Sequence, residues 1–308
     1  MNSRIVIAGG SGFLGSTLTP ALLERGYEVV ILGRGADQQR GDVQHLRWDG
    51  ETLGDWARAL DGAKAVVNLT GKSISCRHTP ANRREIIRSR VDSVRVLGEA
   101  IASCATPPHV FVQASGIGFY GDTGDRTVDE SAPLGHHFTA EVCREWERAF
   151  DAFDLVTTRK VALRIGVVLA RNGGALQLLE RLTRLFLGGA NGSGRQFISW
   201  VHLADMMRML VAAIEQPDVA GTFNATAPEP VTNAAFMREL RRALHRPSSP
   251  PVPAPFARLG AWLMGSDGDL ALLSSRAVPR RFLEHGFAFR FPTLKDALGD
   301  LYGTHRPF

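Results

Sequence analysis

The sequence predicts an α/β fold: a doubly wound parallel sheet with helices on both faces and a smaller C-terminal lobe. Three observations predict it. Short apolar segments alternate with helix-like segments from the first residues to about residue 170, which is the pattern of parallel strands joined by crossover helices. A glycine-rich turn joins the first strand to the first helix. Beyond residue 170, glycine-rich loops and a proline-rich stretch at 247–255 interrupt the alternation and indicate a second lobe.

The predicted strands are short runs rich in β-branched and apolar residues, of the kind buried on both faces of a parallel sheet. They cover residues 5–8, 28–32, 43–47, 65–69, 110–112 and 161–169, with a return strand at 222–224. Helices are predicted at 16–25, near 53–60, from residue 80, at 138–150, at 175–187 and after residue 202, with two or three more after the proline-rich stretch. Thr79 and Pro80 have the residue types of an N-cap and a first helical position.

These elements predict two parts. Residues 1–170, with return elements at about 200–228, form a nucleotide-binding Rossmann domain, and residues 171–199 and 229–308 form a lobe that binds the substrate.

The turn after the first strand reads Gly-Gly-Ser-Gly-Phe-Leu-Gly over residues 9–15. Gly9 permits the tight turn, Gly12 lets the backbone approach a pyrophosphate, and Gly15 lets helix and strand pack closely. The free N–H groups and the positive end of the helix dipole then face the phosphate charge. The flanking strand and helix favour a dinucleotide site over an ordinary loop, with contacts from Gly9, Ser11, Gly12, Phe13, Leu14 and Gly15.

The residue after the second strand indicates which dinucleotide binds. An NAD site carries a carboxylate about 20 residues after the glycine turn, but Arg34 stands at that point and Asp37 comes later. A guanidinium can hold a 2′-phosphate in bidentate fashion. The sequence therefore predicts NADP(H) as cofactor, and the alternative is a surface arginine in an arginine-rich chain.

Composition excludes several other classes. Of 308 residues, 44% are hydrophobic and 22% charged, as in soluble globular proteins. No apolar run reaches the roughly 20 residues that span a bilayer, so we expect no membrane association. Cys76, Cys104 and Cys143 have no metal-ligand spacing and are odd in number, which predicts no metal and a reducing, cytoplasmic location. The net charge of +5 comes from scattered arginines, so no nucleic-acid partner is expected.

Further motifs run along nearly the whole chain beside the glycine loop. They lie at residues 66–71, 89–91, 115–121, 164–169, 173–176, 192–196, 199–202 with Asp205, 224–228, 231–233, Pro279 and 286–287. Together they resemble the extended short-chain dehydrogenase/reductase superfamily, in its atypical epimerase-like branch with a distinctive C-terminal region. The resemblance implies an NADP(H)-dependent oxidoreductase or epimerase-like enzyme that acts on a small carbonyl or hydroxyl compound, with sugar-like compounds among the candidates. It also admits a homodimer, because relatives often form one.

The resemblance assigns roles along the predicted cleft. It places Asn68, Leu69, Thr70 and Gly71 along the adenosine half of the cofactor, and the pair at residues 48–49 beside the adenine. Lys72 then reaches the cofactor phosphate or ribose, or is a surface lysine. The distal part of the substrate is expected to contact Arg195, Gln196, Trp200 and His202. A histidine that enters a helix is more often a cap than a catalyst, so His202 has both interpretations.

The sequence departs from the superfamily in its catalytic residues. The superfamily's chemistry normally needs a Tyr-x-x-x-Lys pair, and no tyrosine of this chain has a lysine four residues later. Thr139 and Cys143 stand at the expected positions. Ser115, at the end of the fifth predicted strand, matches the serine that orients the substrate. Tyr120 is interpreted as a donor to a substrate oxygen or as a packed aromatic, with a loop acid or water as other proton donors. The missing pair also favours an alternative, a noncatalytic NADPH-binding sensor or regulatory module.

Overall fold

A computed structural model describes residues 3–303, whose strands form one large sheet and two small ones. The strands are β1 Arg4–Ala8, β2 Glu28–Gly33, β3 Gln38–Arg40, β4 Val43–Arg47, β5 Ala65–Asn68, β6 Val110–Gly116, β7 Arg159–Ile165, β8 Val167–Leu169, β9 Phe197–Ile198, β10 Trp200–His202, β11 Gly221–Ala225 and β12 Val231–Thr232.

The large sheet has the strand order β11-β7-β6-β5-β1-β2-β4-β3. Every neighbouring pair is parallel except β3 with β4, which is antiparallel. The chain winds outward from β1 in one direction through β2 and in the other through β5. A crevice therefore opens at the carboxyl ends of β1 and β5, the place where ligands bind in open parallel sheets. This topology confirms the predicted doubly wound Rossmann fold.

The helices cover both faces of the sheet. They are α1 Phe13–Leu23, α2 Pro80–Ala102, α3 Phe138–Asp151, α4 Gly174–Arg184, α5 Leu203–Glu215, α6 Asn233–Ala243, α7 Ala254–Leu263, α8 Arg280–Glu284 and α9 Leu294–Tyr302, with 3₁₀ turns at Asp55–Leu60, Ile117–Tyr120 and Gly268–Ala271. The predicted cap of α2 is confirmed, because Thr79 Oγ1 accepts a hydrogen bond from Asn82 N at 3.2 Å.

Alternate side chains of each strand supply two cores. Ile5 and Ile7 of β1 pack in a cluster with residues of α1 and α5, whereas Val6 and Ala8 pack with residues of α2 and α3. Because successive side chains of a strand point to opposite faces, a strand covered on both faces must be apolar throughout. That requirement explains the continuous apolar runs in the sequence.

The predicted strand at 161–169 is two strands, which is a correction to the sequence interpretation. The chain bends at Gly166, where an added Cβ would lie 2.7 Å from the Ser199 carbonyl oxygen. After the bend β8 leaves the large sheet and pairs with β10. The predicted helix near 53–60 is a 3₁₀ turn, and neither β3 nor α6 was foreseen.

The second lobe is built mainly from α4, α6 and α9. Its core contains Leu176, Phe236 and Leu298, one from each helix. Phe282 of α8 instead packs in the main core with the sheet residues, so the C-terminal region divides between the two parts. No helix within residues 3–303 is long and apolar enough to cross a membrane.

Candidate cofactor and active site

The glycine turn lies against the loop that follows β5. Gly9 has a left-handed φ of +75°, which only glycine adopts without strain, and its N–H donates to the Leu32 carbonyl at 3.0 Å. An added Cβ there would lie 3.2 Å from the Leu69 carbonyl carbon. The turn therefore packs tightly against the ends of β1, β2 and β5.

The start of α1 offers the donors that a phosphate needs. Gly12 precedes the helix with no side-chain cap, so no side chain occupies the free N–H groups of the first turn. An added Cβ at Gly15 would lie 2.4 Å from Gly10 Cα, so helix and turn touch through their backbones. Exposed Ser11 and half-buried Phe13 and Leu14 complete the turn. These residues fit the pyrophosphate of a dinucleotide.

The end of β2 carries a free cation. Arg34 is exposed and forms no ion pair with any described residue. The side chain of exposed Ser11 lies beside this strand end, since an added Cβ on Gly33 would be 3.8 Å from its Oγ. Asp37 does not occupy the position, because its Oδ1 accepts from Arg47 N at 2.5 Å. The arrangement fits a 2′-phosphate.

A cavity of about 330 Å³ lies next to this strand end, with Trp48, Asp49 and Trp56 among its lining residues. Trp48 N donates to the Gly33 carbonyl at 2.7 Å, which ties the cavity to β2. Its position fits the adenine half of a nucleotide, as the family resemblance implies.

The loop after β5 is held by its own side chains. Buried Asn68 donates through Nδ2 to Ser93 Oγ at 3.2 Å and to Gln113 Oε1 at 3.0 Å, and its Oδ1 accepts from Thr70 N at 3.1 Å. The Asn68 side chain thus shapes the loop that lines the crevice. Thr70 Oγ1 is buried without a partner in the described chain.

Both the ammonium group and the backbone N–H of Lys72 form hydrogen bonds within the protein. Its Nζ donates to Asn82 Oδ1 at 2.9 Å, and its N donates to Ser89 Oγ at 3.0 Å. A contact between Lys72 and a cofactor phosphate or ribose therefore requires the first of these bonds to break, and the contact stays a prediction.

Ser115 belongs to a buried ionic network at the end of β6. Its Oγ donates to Glu147 Oε1 at 2.6 Å. Arg164 grips the same carboxylate with two parallel bonds, from Nε to Oε1 at 2.9 Å and from Nη2 to Oε2 at 2.7 Å. The hydroxyl hydrogen of Ser115 is thereby committed to Glu147. Its oxygen lone pairs remain available as acceptors.

Tyr120 lies in the same network, which corrects its interpretation as a proton donor to substrate. Its hydroxyl donates to Asn224 Oδ1 at 2.7 Å and accepts from Arg164 Nη1 at 3.0 Å. The side chain is only 2% exposed. Burial raises the pKa of Tyr120 to about 12, so the phenol keeps its proton at neutral pH and acts as a structural link.

The two residues at the positions of the missing pair also hold protons. Thr139 Oγ1 donates to the Gly118 carbonyl at 3.4 Å, and Cys143 Sγ donates to the Gly116 carbonyl at 3.3 Å. Burial, with Glu147 nearby, raises the pKa of the Cys143 thiol to about 11. Neither residue supplies the base that a lysine-assisted tyrosine would provide.

Three of the four residues predicted to contact the distal substrate are buried. Trp200 is fully buried and its Nε1 donates to the Glu229 carbonyl at 3.0 Å. Gln196 is 9% exposed and donates to the Asn191 carbonyl at 3.0 Å. These two side chains stabilise the second lobe, a correction to their interpretation as substrate contacts.

His202 caps α5, which agrees with one of the two interpretations of its role, and a contact between His202 and substrate stays a prediction. Its Nδ1 accepts from Ala204 N at 3.1 Å, its ring packs on Phe291 with 4.0 Å between centroids, and burial lowers its pKa. Arg195 alone of the four is exposed, with Nη2 3.6 Å from Asp125 Oδ2.

Glu147 and Arg164 are site residues that the sequence analysis did not identify. The available signal was charge on faces that should be apolar: Arg164 interrupts the run at 161–169, and Glu147 lies one turn after Cys143 on α3. No cluster of three residues able to hold a metal occurs in the described part of the chain.

Tyrosine ionisation provides a test of this site. Burial is the largest of the causes that raise the pKa values of Tyr27, Tyr120 and Tyr302, and the chain has three tyrosines. We expect the folded protein at pH 10 to show less tyrosinate absorbance than the urea-unfolded chain, in which about half of the tyrosine is ionised.

The Tyr120 contribution to stability follows from the sign of the same shift. The folded pKa lies above the unfolded one, so this contribution is complete below about pH 10 and is lost as the pH rises to about 12. Tyrosinate in the folded protein near neutral pH would reveal an activated phenol and contradict this description of Tyr120.

Comparisons with known proteins agree over nearly the whole chain. The model of the NAD dependent epimerase/dehydratase family matches residues 5–226, and that of a domain of unknown function, DUF1731, matches residues 252–301. Epimerase family protein Mb2239 of Mycobacterium bovis is 37% identical over 307 residues, 99% of each chain.

Two solved structures are similar in fold and sequence. The crystal structure of human epimerase family protein SDR39U1 (isoform 2) with NADPH has a TM-score of 0.87 and 31% identity, covering 98% of this chain and 100% of that one. The nucleoside-diphosphate sugar epimerase from Corynebacterium glutamicum has a TM-score of 0.80 and 30% identity, covering 99% of this chain and 59% of that one.

Proposed function

The chain belongs to the NAD-dependent epimerase/dehydratase family, and from that premise we propose that it is an NADP(H)-dependent oxidoreductase or epimerase-like enzyme. Its substrate is a small carbonyl or hydroxyl compound. The membership confirms the resemblance inferred from the motifs. The observation that carries the proposal is the glycine cradle at residues 9–15 with unpaired Arg34 at the next strand end.

The preference for NADP(H) has two supports. Arg34 offers a guanidinium where an NAD site carries an acid. The similar human protein was crystallised with NADPH. In this site Gly9, Gly12 and the first turn of α1 hold the pyrophosphate, and Ser11 and Arg34 hold the 2′-phosphate. Bound NADP(H) supplies reversible hydride transfer at its nicotinamide ring.

Ser115 orients the substrate in this proposal. Because its hydrogen is committed to Glu147, Ser115 accepts a hydrogen bond from a substrate hydroxyl and holds the carbon that bears it. Arg164 keeps the carboxylate, and so the serine rotamer, in place. When the substrate is oxidised its hydroxyl proton passes to water, and when it is reduced water supplies that proton, since Tyr120 and Cys143 both retain their own protons at neutral pH.

A second function is a noncatalytic NADPH-binding sensor or regulatory module. The observation that favours it is the pair of positions held by Thr139 and Cys143, whose side chains both donate to backbone carbonyls. Such a protein would bind the nucleotide with the same glycine loop and would catalyse no reaction with it.

A turnover screen separates the two functions. The protein is mixed with NADPH and panels of sugars, ketones and quinones, and nucleotide oxidation is followed by absorbance. We expect oxidation with at least one class, and a loss of kcat/KM of about 100-fold in Ser115→Ala, the size typical for a lost polar contact to the reacting group.

Ser103→Ala is the matched control, since the hydroxyl of exposed Ser103 donates only to the Ala100 carbonyl at the end of α2. Tight NADPH binding with no turnover across all panels would favour the noncatalytic function. Unchanged turnover in Ser115→Ala would remove the role given to this serine.

A further inference from the structure

Arg90 of α2 is a cation anchored by one nitrogen. Its Nη1 donates to the Lys72 carbonyl at 2.8 Å and to the Ile86 carbonyl at 2.9 Å. These bonds fix the guanidinium plane against the loop that follows β5. An added Cβ on Gly71 would lie 2.9 Å from Arg90 Cζ, so the glycine leaves room for the cation.

The opposite edge of this guanidinium has no partner in residues 3–303. Nε is buried without an acceptor, Nη2 forms no hydrogen bond, and no carboxylate pairs with Arg90. Burial lowers its pKa to about 10, the direction expected when no anion compensates the charge. A half-buried cation of this kind is costly unless something pairs with it.

Arg164 uses the same Nε–Nη2 edge of its guanidinium to bind a carboxylate. There Nε and Nη2 form the two parallel bonds to the Glu147 carboxylate, the usual bidentate geometry of arginine with an oxyanion. The Nε–Nη2 edge of Arg90 is therefore the same pair of donors that binds a carboxylate at Arg164, but at Arg90 it has no acceptor among the described residues.

Other unpartnered donors surround Arg90. Its Cζ lies 4.8 Å from the centroid of the Trp146 ring, and Trp146 Nε1 is buried without an acceptor. Thr70, next to Gly71, has a buried and unpartnered Oγ1 as well. Three side chains in one neighbourhood thus lack acceptors among the described residues, and an oxyanion has lone pairs for all of them.

Cys143 connects this neighbourhood to the proposed reaction centre. Its thiol interacts electrostatically with Arg90 and donates to the carbonyl of Gly116, the residue after Ser115, at 3.3 Å. A molecule held by the free edge of Arg90 would therefore lie close to Ser115.

We propose that the Nε–Nη2 edge of Arg90 binds a carboxylate or phosphate group of the substrate. The substrate class is then an anionic carbonyl or hydroxyl compound, with its charged group on Arg90 and its hydroxyl on Ser115. This inference rests on the proposed function, because it assigns the reactant of that same site.

Calorimetric titration of the NADPH-saturated protein tests the assignment. The probes are oxamate, its neutral amide oxamide, and inorganic phosphate. We expect oxamate or phosphate to bind in about the millimolar range and oxamide not to bind. Arg90→Gln should weaken anion binding about tenfold or more and leave NADPH affinity within about threefold. Arg90→Lys should give an intermediate loss, because lysine keeps the charge and lacks the fork.

Arg88→Gln is the matched control on the same helix, since Arg88 is exposed and pairs with Glu51 and Glu85. Equal anion binding by the wild type and Arg90→Gln would overturn the proposal, as would no binding of either anion up to about 50 mM. A large loss of NADPH affinity in Arg90→Gln would assign the edge to the cofactor and overturn it too. The anions are also titrated against the protein without NADPH, so that a failure of the protein to bind NADPH is distinguished from a failure to bind the anion.

Discussion

Glu147→Gln should lower the free energy of unfolding by about 3–5 kcal/mol, the cost of leaving one member of a buried ion pair without its partner. Arg164 is only 6% exposed and Glu147 8%, so solvent cannot replace the lost charge. The substitution also removes the acceptor that fixes Ser115. Urea unfolding followed by tryptophan fluorescence measures the change.

Glu99→Gln is the surface comparison for this experiment. Glu99 accepts two bonds from Arg95 Nη1 at 2.9 and 3.1 Å, but both side chains are exposed. Its loss should cost about 0.5 kcal/mol or less. The double variant Glu147→Leu with Arg164→Met should recover part of the loss, because it leaves no lone charge. A cost below about 1 kcal/mol for Glu147→Gln would mean that the pair is solvated.

Gly15→Ala should weaken NADPH binding by on the order of 100-fold, about 2.7 kcal/mol. The new methyl group would lie 2.4 Å from Gly10 Cα and 2.5 Å from Gly10 O. These are backbone atoms, so the clash is relieved only by opening the turn that faces the pyrophosphate. Calorimetric titration with NADPH measures the loss.

Gly35→Ala is the control, since an added Cβ at Gly35 meets nothing within 4 Å. It should bind NADPH as the wild type does, although it lies beside Arg34. Equal affinity in Gly15→Ala and the wild type would show that the glycine turn does not hold the nucleotide.

The sheet was predictable from the sequence because its strands are buried on both faces. The predicted bounds of β4 agree with the structure, and those of β2 differ by one residue. The glycine turn and the Thr79 cap were equally readable, since each depends on local backbone chemistry. Gly166 shows the limit of this prediction. The Ser199 carbonyl approaches this residue from a distant part of the chain, and no local sequence pattern reveals such a contact.

The candidate site was less predictable because its contacts join distant segments. Tyr120 meets Asn224 across 104 residues of chain, and this contact decides that its hydroxyl serves the fold. Glu147 and Arg164 come together only because α3 packs against the sheet. Sequence reasoning located the loops of the crevice, but it could not tell which of their side chains bind a ligand and which bind one another.

The proposed function depends most directly on Arg34 and the glycine turn holding a 2′-phosphorylated nicotinamide nucleotide. Calorimetric titration of the wild type and Arg34→Ala with NADPH and NADH tests this claim. We predict that the wild type binds NADPH about 10- to 100-fold more tightly than NADH, and that Arg34→Ala loses this preference while its affinity for NADH is unchanged. Equal affinity of the wild type for both nucleotides, or binding of neither, would contradict the account.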